Sequence, residues 1–142
     1  MKVVLDTNVL VAGLRSSNGA SHRLLQQLPL LQMFYPQISV PLFLEYEAVL
    51  KRPDSGIRLE REEIDVILDV IAAVSDQVKL HYLWRPVLPD PADDMVLELA
   101  MASNAEAIVT FNTKDFAEAE RRFGIRILTP REFWLLLQEK KR

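Results

Sequence analysis

Short apolar runs rich in β-branched residues alternate along this chain with segments of helical period, and that alternation restricts the fold to one class. Lys2-Val3-Val4-Leu5 lacks the polar alternation of a half-exposed strand. It reads as a strand buried on both faces of a parallel sheet. Residues 107–110 are a further apolar run, 125–128 form a short strand, another strand lies within 31–35 and 38–40, and 77–80 supplies one more. Helical spacing fills the intervals: 21–28 with Leu24, Leu25 and Leu28 on one face, 42–50 after Pro41, 60–74 with Ile64, Ile67, Leu68 and Ile71, then 93–102 and 115–122. Ser16-Ser17-Asn18-Gly19, Asp54-Ser55-Gly56 and the proline-rich 85–91 are loops. Thr129-Pro130-Arg131-Glu132 is a capping box that opens a last helix over 133–139. Strands alternating with helices mean βαβ units. The predicted fold is an α/β three-layer sandwich around a central, mainly parallel sheet of about four to five strands, as one domain over residues 1–142.

Composition narrows the function classes. At 142 residues and 49% apolar, the chain has enough material for a core and is not of disordered type. It has no cysteine, so disulfide staples and thiolate zinc sites are excluded, which fits a cytoplasmic protein. Met1-Lys2 leads directly into the first strand, and no apolar run nears the ~20 residues of a membrane span. A soluble chain with no membrane partner is expected. A net charge of −3, from 17 basic and 20 acidic residues, argues against a pure phosphate-backbone binder, less so if several acids hold a metal. Lys51-Arg52, Arg58 with Arg61, Arg121-Arg122 with Arg126, and the basic tail are, cluster by cluster, ordinary solvated faces.

Four acids stand where buried elements meet loops: Asp6 after the first strand, Glu45 inside a helix start, Asp94 before the helix 95–102, and Asp115 after the strand 107–110. Local duties compete for three of them. Asp90, Asp93 and Asp94 surround Pro91, where acids cap free N–H groups; Asp6 suits an Asx turn, and Asp115 a helix cap. Glu45 has no such duty, being flanked by Phe43, Leu44 and Tyr46. In open α/β sheets the crevice lies beyond the carboxyl ends of the strands. Strand ends and helix starts share that rim, so four segments deliver carboxylates to it. Two carboxylates ~5 Å apart repel by roughly 3 kcal/mol at an effective dielectric near 20. A divalent cation relieves this, and oxygen-only donors point to Mg²⁺ or Mn²⁺.

These residues, in this order, resemble the PIN-domain family over nearly the whole chain. The first motif is Val3-Val4-Leu5-Asp6-Thr7-Asn8-Val9-Leu10, and the second is Ser39 placed six residues before Glu45. The third runs from Asp94 through a small-residue helix to Ile108-Val109-Thr110, and the fourth is Thr110-Phe111-Asn112-Thr113-Lys114-Asp115-Phe116. Tyr46 and Val49-Leu50-Lys51-Arg52-Pro53 further resemble the subgroup of toxin components of toxin–antitoxin systems, the VapC-like ribonucleases. The resemblance implies a metal-dependent endoribonuclease that hydrolyses RNA phosphodiesters with water activated by Mg²⁺ or Mn²⁺, leaving a 5′ phosphate and a 3′ hydroxyl. It implies Asp6, Glu45 and Asp94 as the catalytic acidic core, with Asp115 a further metal ligand.

By the same resemblance Thr7, Asn8, Asp93, Thr110 and Asn112 support those ligands, Asn112 standing where the family often has Asp. Arg15, Lys51 and Arg52 are candidates for RNA binding, with Phe111 or Trp84 available for base stacking. His22 and His81 fall outside the motifs. A small antitoxin is the implied partner, and self-association could use Leu135, Leu136 and Leu137. Two other readings stay open: a PIN-like module that binds RNA or a partner with a weakened site, and a receiver-like Mg²⁺-binding domain. The second needs an acidic pair after strand one, where Asp6 stands alone.

Overall fold

The computed structural model describes residues 1–30, 33–80 and 91–141. Strand β1 (Lys2–Leu5) runs through the middle of the sheet, as its uninterrupted apolar character requires. It pairs in parallel with β2 (Tyr35–Ile38) on one side and β4 (Ala107–Val109) on the other. Beyond these lie β3 (Asp76–Gln77) and β5 (Arg126–Leu128), both parallel to their neighbours, giving the order 3-2-1-4-5. Val3 sits opposite Ala107 and Leu5 opposite Val109, and Val3, Val4, Ile108 and Val109 are fully buried. This order differs from the 2-1-3-4-5 order of the flavodoxin-like sheet to which receiver domains belong, which closes the receiver-like alternative.

A proline in a strand beside the centre needs an explanation, because it cannot donate to the ladder. The N–H of Tyr35 donates to the Met1 carbonyl, so alternate residues face β1 and Pro36 faces the other way. There β3 pairs only with Gln37 and Ile38, so no bond is lost. The buried Gln37 fastens β3 instead, its Nε2 donating to Asp76 Oδ2 at 2.7 Å and to the Tyr35 carbonyl at 3.1 Å. β3 is shorter than the expected 77–80 because β2 ends at Ile38; Val78 N makes one last bond to the Ile38 carbonyl at 2.8 Å.

Helix α1 (Thr7–Arg15) follows β1 at once. The sequence pattern does not predict this helix, because Val9-Leu10 continues the apolar character of the strand. α2 (Ala20–Gln27) ends in a 3-10 turn at Leu28–Leu30. α3 (Val40–Leu50) starts at Ser39, whose Oγ accepts from Leu42 N, with Pro41 in its first turn. α4 (Arg61–Val74) opens with a reciprocal Glu60–Glu63 capping box. α5 (Pro91–Ser103) packs against β1, β2 and β4. The helix expected over 115–122 divides into a 3-10 turn (Thr113–Phe116) and α6 (Ala117–Phe123), which Gly124 ends in the left-handed region at φ 70°. α7 (Pro130–Lys141) opens as predicted, Thr129 N donating to Glu132 Oε1 at 2.8 Å and Glu132 N to Thr129 Oγ1 at 3.1 Å.

On α7, Phe133 is buried edge-on against Phe34, ring centroids 5.2 Å apart, and Leu137 joins the same core. Leu135 is exposed and Leu136 is half-buried, so of the three leucines Leu137 belongs to the core and Leu135 presents most of the apolar surface. No described helix is long and apolar enough to cross a membrane. Leu31, Gln32, His81, Trp84 and Asp90 lie outside the described residues.

Candidate active site

The chain leaves β1 for β2 and β3 on one side and returns to place β4 and β5 on the other, so the strand order of this all-parallel sheet reverses between β1 and β4. A crevice opens beyond the carboxyl ends of strands at such a point. Asp6 and Thr110 are the residues immediately after those two strands. Asp6 N donates to the Val109 carbonyl at 2.9 Å, tying the two strand ends together. The Asp6 carboxylate caps α1, Oδ1 accepting from Thr7 N at 2.8 Å, while Oδ2 accepts from the Thr110 hydroxyl at 2.7 Å. The local capping duty and the placement at the rim are thus carried by one side chain.

The Thr110 hydroxyl also accepts from Asn112 N at 3.0 Å and from Asn8 Nδ2 at 3.5 Å, and Asn8 Oδ1 accepts from Phe111 N at 3.4 Å. Thr7, Asn8, Thr110 and Asn112 therefore form one network around Asp6. Tyr46 fixes it from behind: its buried hydroxyl donates to the Leu5 carbonyl at 2.5 Å. Burial, and then the Asp6 charge, push the Tyr46 hydroxyl far above its ordinary range, so it remains a donor at every physiological pH. Tyr46→Phe is expected to destabilise the fold by about 1–2 kcal/mol, because the Leu5 carbonyl loses its donor in a buried place; urea denaturation measures it.

A cavity of about 420 Å³ opens over this network. Its wall carries Asp6, Glu45 of α3 and Asp93 of α5, with Asn112, Arg15 and Phe111 around them. Asp6 is 8% and Asp93 7% exposed, and Glu45 is half-buried. Asp93 shares its helical face with Val96, Leu97 and Ala100, all buried, three, four and seven positions on. That spacing is the signal in the sequence that sets Asp93 apart from its neighbour. Asp94, about 100° further round α5, is half-buried but does not line the cavity; Asp115 is exposed in the 3-10 turn and does not line it either.

Of the three candidate basic residues, Arg15 lies on the wall. Lys51 is turned to other partners, its Nζ 2.5 Å from Asp65 and 3.4 Å from Glu47, and the bond to Asp65 raises its pKa. Arg52 is exposed and lies off the wall. His22 Nδ1 contacts the Gly13 carbonyl, away from the acids.

The donors on the wall are all oxygens, which suits a hard divalent cation. Among the described residues no group of three or more aspartate, glutamate or histidine side chains is placed to hold a metal ion. Mg²⁺ does not require one, since it keeps several waters and is commonly held by one or two carboxylates together with substrate phosphates. The donor set fits an ion of this kind.

The family model described as PIN domain matches residues 2–114. The chain belongs to the PIN domain family. PIN domains are generally nucleases that use divalent metals. Solved structures carry the same fold at low identity. The chain is similar to VapBC-1 from nontypeable Haemophilus influenzae (15% identity, TM-score 0.62, 92% of this chain and 99% of that one). It is similar to VapBC2 from Rickettsia felis bound to a DNA fragment from its promoter (17%, 0.59, 91% and 98%). It is also similar to FitAcB from Neisseria gonorrhoeae (20%, 0.57, 90% and 97%). No curated protein sequence matches the chain significantly.

Proposed function

We propose that this PIN domain is a Mg²⁺- or Mn²⁺-dependent endoribonuclease and the toxin of a toxin–antitoxin pair. The observation that carries the proposal is the cavity at the strand-order reversal, where Asp6, Glu45 and Asp93 arrive from three separate elements on one wall. Asp6 and Asp93 would hold the ion, with Glu45 as the third acid and the Asn112 carbonyl as a neutral donor. When bound, such an ion would supply positive charge for a phosphate oxygen and would lower the pKa of a water ligand, the chemistry that phosphodiester hydrolysis needs.

The chain's own residues set the geometry. Thr7 N and the Thr110 hydroxyl fix both oxygens of Asp6, and Asn8 fixes Thr110, the kind of outer support metal ligands need. Leu42 and Val96 on the wall are apolar and buried, which strengthens every charge interaction inside.

The toxin role is supported by the Tyr46 and Val49–Pro53 resemblance to toxin components and by likeness of fold to the VapBC and FitAcB structures. A small antitoxin covering the cavity mouth and a homo-oligomeric toxin in the cytoplasm complete the proposal. The purified chain is expected to cleave RNA in Mn²⁺ and Mg²⁺, to stop in EDTA, and to leave 5′ phosphates. RNA binding without cleavage in any metal would instead favour a binding module, a reading that Asn112 in an acidic position supports.

A further inference from the structure

We infer that Phe111 and Arg15 form a nucleotide-holding pair on this cavity, the ring stacking on an unpaired base and the guanidinium binding the adjoining RNA phosphate. The inference rests on the ribonuclease reading and gives it two specificity-determining residues. Phe111 is 50% exposed although it lines the cavity, whereas Phe116, five residues on, is completely buried. A single exposed aromatic is common on protein surfaces. This one is carried on a tethered loop: its own N–H is held by Asn8 Oδ1 and the next N–H by the Thr110 hydroxyl, which in turn holds Asp6. The ring is therefore registered to the acid that the chemistry needs. Aromatic rings presented in this way take splayed, unpaired bases.

Among the described residues Arg15 is the one cationic side chain on a wall whose other charged residues, Asp6, Glu45 and Asp93, are acidic. Its Nε donates to the Ser55 carbonyl at 2.5 Å, and it makes no other hydrogen bond or ion pair among the described residues. The Ser55 turn is built to receive it: Gly56 sits at φ +80°, and a Cβ there would lie 2.8 Å from Arg15 Nε. With Nε committed to a carbonyl, the two Nη groups are left for a phosphate, for which the guanidinium fork is suited. Acids on the cavity wall repel RNA, and a cation held on the same wall offsets that repulsion.

The test uses the full chain carrying Asp6→Asn, in Mg²⁺, with an RNA containing 2-aminopurine as single strand and as annealed duplex. The single strand is expected to bind with quenching of the 2-aminopurine emission and the duplex to bind at least ten-fold more weakly. Adding Phe111→Ala should raise the single-strand Kd about ten-fold and abolish the quench, with Phe111→Trp restoring both. Arg15→Gln should raise Kd, lower the salt slope by about one phosphate contact and leave the quench at saturation intact. Unquenched binding, equal affinity for duplex, or a Phe111→Ala variant that binds like its parent would overturn the inference. Wild-type cleavage with those binding results removes the pair and keeps the ribonuclease; Phe111-dependent quenching without wild-type cleavage in any metal does the reverse. Melting temperatures within about 2 °C of the parent confirm that each variant is folded.

Discussion

Asp6→Asn is expected to reduce metal-dependent RNA cleavage by about 10³-fold, the rate equivalent of several kcal/mol of lost charge stabilisation. Asparagine has the same shape, and it can still accept from Thr7 N and meet the Thr110 hydroxyl, so the cap on α1 survives. What disappears is one negative charge from the wall that also carries Glu45 and Asp93. The melting temperature in EDTA is therefore expected to hold or rise, since removing one of several neighbouring carboxylates relieves repulsion. Cleavage rates in Mn²⁺ and thermal denaturation read the two effects separately. Equal cleavage by the mutant would place the activity elsewhere.

The second large effect separates two adjacent residues. Asp93→Asn is expected to lower cleavage by about 10²- to 10³-fold, and Asp94→Asn by less than ten-fold. The difference is one of helical phase. Asp93 lies 7% exposed on the cavity wall, while Asp94 is rotated off it on the same helix. Parallel rate measurements, with Mn²⁺ binding followed by electron paramagnetic resonance, check this. A larger loss at Asp94 would mean that the α5 carboxylate reaching the ion is Asp94.

Much of the fold was legible because its signals are local. Val3-Val4-Leu5 reads as a doubly buried strand from composition alone, and Ser39 and Thr129 mark helix starts by cap chemistry that operates within four residues. The first helix was missed for the same reason that the strand was found. Val9 and Leu10 prolong an apolar run, and although Asp6 suits an Asx turn, the hydrogen bond from Thr7 N to Asp6 Oδ1 is what shows that the turn opens a helix. Likewise the helix over 115–122 could not be divided from sequence, because a 3-10 turn and an α-helix place apolar residues at nearly the same spacing.

At the site, the residue types were readable and their directions were not. Sequence marks Asp6, Glu45, Asp93, Asp94 and Asp115 as acids near element ends; for Asp93 and Asp94 the only hint is the apolar spacing from Asp93 to Val96, Leu97 and Ala100, which gains its meaning once the helix is phased against the sheet. Nor could it foresee that Lys51 would be taken by Asp65, fourteen residues away on α4, while Arg15 stays on the cavity wall.

By itself the amino-acid order determined a parallel α/β architecture and an oxygen-only set of donors, since both follow from short-range patterning and residue chemistry. Only tertiary structure decided the reversal between β1 and β4, the bond from Thr110 to Asp6 across 104 residues, and the choice of Asp93 for the cavity wall. Those depend on which strands lie side by side and how each helix is rotated. The packing energy of the whole core settles both, and no local stretch of chain contains it.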